Sequence, residues 1–246
     1  MPRLQDTEVK AFMNKIQAAF AGGRAVIPFI TCGDPTLETT EQLIYAAAEG
    51  GASLIMLGIP FSDPTAEAPI LQEAAIRALS GGVTTDGVFA MVRKLHITIP
   101  IVVQTYANVV FSYGAEKFIS TCREIGIEGL FVPDVPFAEK EEFAPLCQKY
   151  GLSFISMVAP APGARIAEIC RAAEGFIYAA AKKNEMAALL EEIRKNTKLP
   201  CVIPEGSAVL AADGVIADSA AVNCVTEYGQ KAPEFLRAYI RDFITE

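Results

Sequence analysis

The most constraining feature of this chain is an alternation. Short apolar runs at residues 25–30, 53–57, 100–104, 129–132, 153–158, 175–180, 200–204 and 214–217 are separated, for the most part, by segments with helical periodicity at 36–49, 70–80, 85–94, 114–125, 138–150, 164–173 and 184–195. Further helical patterns lie at 6–20 and 233–245. Each β-run is apolar on both faces, as parallel strands covered on both sides must be. Eight βα units in 246 residues fit an α/β (β/α)8 barrel better than an open doubly wound sheet. No Gly-x-Gly-x-x-Gly follows the first run, which weakens the dinucleotide-binding alternative. The whole chain, 1–246, reads as a single barrel domain without a linker. One unit is short: about six residues separate Gly206 from Asp213, too few for a crossover helix, which needs ~10–12. The expectation is a barrel lacking the helix between its seventh and eighth strands, with one wall thinly covered and strand surface or a partner contact there.

Composition excludes several classes. With 52% hydrophobic residues the chain is globular, and no apolar run approaches the ~20 residues a membrane span needs. A net charge of −8 disfavours nucleic acid and anionic membranes. The six cysteines lack metal-type spacing and the only histidine is His96. No metal is therefore expected, and the thiols read as reduced in a cytoplasmic protein. His96 reads as a surface or packing residue.

In such a barrel, function sits on the loops after the strands. The most telling loop is Met56-Leu-Gly-Ile-Pro-Phe-Ser-Asp-Pro-Thr-Ala-Glu-Ala-Pro69. It carries Asp63 and Glu67, but where an acid would be wanted at the strand end it has Met56 and Leu57. This loop, with Pro28-Phe-Ile-Thr-Cys-Gly-Asp-Pro35, Arg77-Ala-Leu-Ser-Gly-Gly82, Thr105-Tyr-Ala-Asn-Val-Val-Phe111, Val132-Pro-Asp-Val-Pro-Phe137 and Gly175-Phe-Ile-Tyr178, resembles the tryptophan synthase α chain family in motif order. The resemblance implies a barrel with an extra N-terminal helix, which the 6–20 pattern would supply. It implies cleavage of indole-3-glycerol phosphate to indole and glyceraldehyde 3-phosphate, no cofactor in this chain, and docking on a pyridoxal-phosphate β chain in an α2β2-type assembly. It also implies that Phe29, Thr31, Tyr106, Tyr178 and Ser219 bind substrate, and that Pro60 and Asp63 contact the partner. Asp134, in the intact Pro-Asp-Val-Pro run, is expected to anchor neighbouring loops.

The departures from the family pattern are chemical. Its general acid/base is a Glu at the position of Met56, and methionine transfers no proton. Losing such a group typically costs ~10²–10⁴ in rate. Its second carboxylate, an Asp, is Glu67 here, one methylene longer; Glu67 is either a displaced catalytic acid or a solvated loop charge, and the second is the plainer reading. Gln104 makes a usually apolar part of the pocket polar. The phosphate loops carry Glu205 and Asp218, which repel a phosphate dianion. The lid after the sixth strand is replaced by Lys182-Lys-Asn-Glu185, read as the start of the next helix. Three functions follow: an α chain with weak or lost lyase activity, a non-catalytic partner that regulates a β chain, or an enzyme acting on a different, non-phosphorylated substrate through Glu67.

Overall fold

The computed structural model describes residues 15–207 and 211–245. Among the described residues, nine strands form one all-parallel sheet: β1 (Ala25–Thr31), β2 (Ile55–Gly58), β3 (Ile101–Gln104), β4 (Gly129–Phe131), β5 (Ser153–Phe154), β6 (Ser156–Val158), β7 (Ile177–Ala179), β8 (Cys201–Pro204) and β9 (Gly214–Ala217). Their order is β5-β4-β3-β2-β1-β9-β8-β7-β6. The two ends of that order, β5 and β6, are one continuous stretch of chain bent at Ile155, so the sheet curls into a nearly closed barrel. The run expected at 153–158 is thus split: Ser153–Phe154 pairs with β4 and Ser156–Val158 with β7.

The helices are α1 (Lys15–Ala18), α2 (Leu37–Gly50), α3 (Pro69–Ser80), α4 (Thr85–Val92), α5 (Ala107–Tyr113), α6 (Ala115–Glu124), α7 (Ala144–Tyr150), α8 (Gly163–Ala172), α9 (Met186–Arg194), α10 (Ala220–Tyr228) and α11 (Ala232–Thr245). Local chemistry sets several starts. The Thr36 and Thr84 side chains accept from the backbone N–H of Thr39 and Gly87, capping α2 and α4. Pro69 opens α3, where its missing N–H is not needed. The pattern expected at 138–150 breaks into a 3-10 turn, Phe137–Glu142, followed by α7. Lys182–Glu185 form a turn and not the first turn of α9, which begins at Met186. Most of the expected N-terminal helix lies outside the described residues; its described part is α1, where Ile16 is fully buried at the barrel interior.

Three clusters make the core. The barrel interior holds Ile27, Phe29, Leu54, Met56, Val102, Phe131, Ile155, Phe176, Val202 and Ile216, with Ile16 among them. The other two clusters lie between strands and helices on opposite halves of the barrel. Residues 205–207 and 211–213, between β8 and β9, form turns, and no helix occurs among them. That wall does not expose the strands as the short connection suggested. Ile203 and Val215 are buried, in a cluster that includes Leu190 and Ile193 of α9, with half-buried Phe243 of α11 packed against it. The returning chain is held by Asp213, which accepts from the Cys201 N–H at 2.8 Å and from Arg194 at 3.2 Å.

Candidate functional site at the barrel mouth

The C-terminal ends of the strands surround a cavity of about 310 Å³, lined by Phe29, Glu67, Leu71, Gln104, Phe131, Met157, Tyr178, Ile216 and Asp218, among others. Parallel strands deliver these residues together because every strand of the barrel ends at the same rim. Phe29 and Tyr178, two of the residues the resemblance assigned to substrate, are among those that line the cavity. Phe131, the last residue of β4, and Met157, the middle residue of β6, are lining residues that the sequence reading did not single out; each stands one position before the end of its apolar run, and that was the available signal. Phe131 and Tyr178 meet edge to face at 5.5 Å, a favoured aromatic geometry.

Phe29 owes its place to a glycine. A Cβ on Gly58 would lie 2.3 Å from the Phe29 ring, closer than any real contact. The ring can lie across the end of β2 only because residue 58 has no side chain.

Met56 pairs in register with Phe29 and Val102. It is fully buried in the apolar interior and is not among the residues that line the cavity. At this depth it does not present even its thioether to the cavity.

Two carboxyls do face the cavity. The loop after β2 brings in Glu67, whose Oε1 accepts from Gln104 Nε2 at 3.2 Å. Burial raises the Glu67 carboxyl above its ordinary value, with the Gln104 hydrogen bond opposing. The solvated-charge reading of Glu67 therefore gives way to a half-buried acid. Asp218 follows β9 and is likewise raised by burial, with hydrogen bonds from Ser219 and its own backbone holding it partly down. The Tyr178 phenol is pushed up to about 12, by burial first and by the Asp218 charge second. Neither carboxyl forms an ion pair among the described residues, and no Lys, Arg or His is found among those lining the cavity.

Other predicted residues fall elsewhere. Glu205 does not join Asp218 at the mouth. Its carboxyl accepts from the Tyr239 hydroxyl of α11, and it lines a separate cavity with Cys224, Tyr228 and Phe235. Tyr106 is buried, and its hydroxyl accepts from the Ala66 N–H at 3.0 Å, so it positions the loop carrying Glu67 and is not among the cavity-lining residues. Thr31 is buried with an unpartnered Oγ1 and also lies outside the lining. Ser219 stands at the N-cap position of α10, beside Asp218, with no side-chain capping hydrogen bond. Lys182 and Lys183 are exposed.

None of the residues from Pro60 to Pro64 lines the barrel-mouth cavity. Pro60 and Phe61 line a second cavity, of about 420 Å³, with Asp86, Asn108 and Tyr113. Asp63 is exposed and accepts from Ser62 Oγ at 2.6 Å. Asp134 accepts from the Ala107 N–H at 3.1 Å and so anchors the start of α5, as its loop position suggested. His96 is exposed.

Known proteins share this architecture. A family model described as the tryptophan synthase alpha chain matches residues 16–241. The tryptophan synthase alpha chain of Lacticaseibacillus casei is 37% identical over 249 residues, covering 93% of this chain and 94% of that protein. The crystal structure of tryptophan synthase subunit alpha from Legionella pneumophila superposes with a TM-score of 0.86 at 30% identity, covering 93% of this chain and 96% of that one. A chain from the Pyrococcus furiosus tryptophan synthase α2β2 complex, studied for its mutual activation, superposes with a TM-score of 0.83 at 29% identity, covering 91% and 99%. With the motif order, the parallel barrel and its rim already in place, these matches show that the chain belongs to the tryptophan synthase alpha chain family.

Proposed function

We propose that this chain is a tryptophan synthase α-type protein whose indole-3-glycerol phosphate lyase activity is weak or lost, and that it works as a non-catalytic partner of a β chain in an α2β2-type assembly. It is read as a single barrel domain in the cytoplasm. The observation that carries the reading is Met56, fully buried where the family resemblance implies a proton-transferring Glu. Asp218 supports it, since a half-buried carboxyl at the rim opposes a phosphate dianion. The partner role is supported by the intact Pro60 to Pro64 segment, in which Asp63 is exposed.

The experiment has two arms. Incubation with indole-3-glycerol phosphate should give no indole above background. Titration into a β chain should change the rate at which that chain condenses indole with serine. Indole release abolished by Glu67→Gln would overturn the loss of activity. A β chain that neither binds the protein nor changes rate would overturn the partner role.

A further inference from the structure

The barrel-mouth cavity remains well formed although the residue beneath it is a sealed methionine. At about 310 Å³ it lies at the small end of the ~300–1,000 Å³ typical of ligand pockets. Its walls offer ring surfaces from Phe29, Phe131 and Tyr178, with Met157 on the rim 39% exposed and so free to adapt. Two carboxyls, Glu67 and Asp218, open into the same apolar space, and neither forms an ion pair among the described residues.

Carboxyls taken from water into such surroundings are unfavourable until a cation or hydrogen-bond donors meet them. The Gln104 amide answers one oxygen of Glu67, and Asp218 has only the local groups of Ser219 and its own backbone. The upward displacement of both carboxyls by burial is the same imbalance seen from the proton's side. A ligand that supplies positive charge and covers the rings would correct it. Aromatic faces also attract cations directly.

We propose that the cavity bounded by Glu67, Phe131, Tyr178 and Asp218 is a binding site for a small aromatic amine, a flat ring system carrying an alkylammonium tail. The ring stacks among Phe29, Phe131 and Tyr178, and the ammonium is held by the carboxylates. The inference rests on the reading that the cavity no longer handles a phosphate ester, and it names what the cavity takes instead.

Isothermal titration of the full chain with three compounds that share one ring tests it: tryptamine, the neutral alcohol tryptophol, and tryptophol phosphate. A charge-assisted hydrogen bond exceeds a neutral one by enough to make tryptamine bind roughly tenfold tighter than tryptophol, with the phosphate ester weakest. Asp218→Asn and Glu67→Gln keep shape and hydrogen bonding while removing charge. Each should weaken tryptamine several-fold and leave tryptophol unchanged, with circular dichroism and melting verifying that both variants fold. If one variant fails to fold, the other variant and the three-ligand ranking still decide. Equal binding of amine and alcohol, or variants that leave tryptamine unaffected, would overturn the proposal. If none of the three compounds binds, the proposal fails while the loss-of-lyase reading stands. Tightest binding by the phosphate ester would overturn both.

Discussion

Met56→Glu would restore the missing acid by a single change, and the structure gives reasons why this should fail. Met56 is fully buried among Phe29, Leu54, Val102, Phe131 and Ile216, all apolar. A carboxyl placed there has no donor in that cluster and would be forced toward its neutral form. Buried glutamates reach pKa values of about 8–9. Holding the acid neutral at pH 7, against an unfolded value of about 4.3, costs roughly 3–4 kcal/mol at 1.36 kcal/mol per unit. Lost packing of the methionine adds about 1–2 kcal/mol, a large share of a typical stability of roughly 5–15 kcal/mol. Because the folded-state pKa of the introduced acid would lie above the unfolded one, the ionisation penalty is absent below about pH 4 and grows as pH rises. At pH 5 it should shrink to about 1 kcal/mol. Urea unfolding of wild type and variant at pH 5 and pH 7 measures this directly. The variant should lose about 4–6 kcal/mol at pH 7 and recover more than about 2 kcal/mol of that at pH 5, with no indole released from indole-3-glycerol phosphate at either pH. A stability loss independent of pH would refute the buried-carboxyl reasoning. Indole release by this variant would refute the claim that Asp218 also blocks the phosphate ester.

The Asp34 carboxylate, 2% exposed, receives two 2.8 Å hydrogen bonds from Arg77. Arg77→Ala should cost about 3 kcal/mol in chemical denaturation, the low end for a stranded buried charge because Arg77 itself is 38% exposed; Arg77→Lys, which cannot reproduce the fork, should cost about half as much, and equal losses for the two would argue against the bidentate account. Gly58→Ala should destabilise by about 1–3 kcal/mol through its collision with the Phe29 ring, and an unchanged melting temperature would show that the ring moves freely. All six cysteines are buried, and burial pushes the Cys32 and Cys147 thiols up to about 12 and Cys201 to about 11. A thiol reagent at pH 8 should therefore label the native protein far more slowly than the urea-unfolded chain, and one promptly reacting cysteine would contradict this.

Much of the fold is legible in the sequence because its signals are local. The eight apolar runs announce strands buried on both faces, and caps such as Thr36 and Thr84 announce where helices begin. Two helices give weaker signals. Ala107–Tyr113 lies inside a recognised loop motif, and its start is held by Asp134, a residue 27 positions away. Ala220–Tyr228 buries only Ala220, Ala221, Val222 and Cys224, and over about two and a half turns a helical face hardly repeats. The bend at Ile155 depends on which neighbour each half pairs with, so no local pattern encodes it.

For the site, the sequence by itself determined which chemical groups are present: a methionine at the position of the family's acid, a glutamate at Glu67, and carboxylates after the last two strands. These are identities, and covalent structure fixes them. The direction each side chain takes was decided by tertiary structure. Glu205 and Asp218 looked equivalent as acids just beyond strand ends, yet Glu205 turns to Tyr239 on the C-terminal helix while Asp218 opens into the cavity. Tyr106 matched a cavity-lining position and instead holds the Ala66 N–H. Whether a strand-end residue points inward depends on the pleat, on the next strand's register and on the helix packed behind it, all contacts between residues far apart in the chain. The same contacts made Glu67 a half-buried acid beside Gln104 where its loop, read alone, suggested a charge in water.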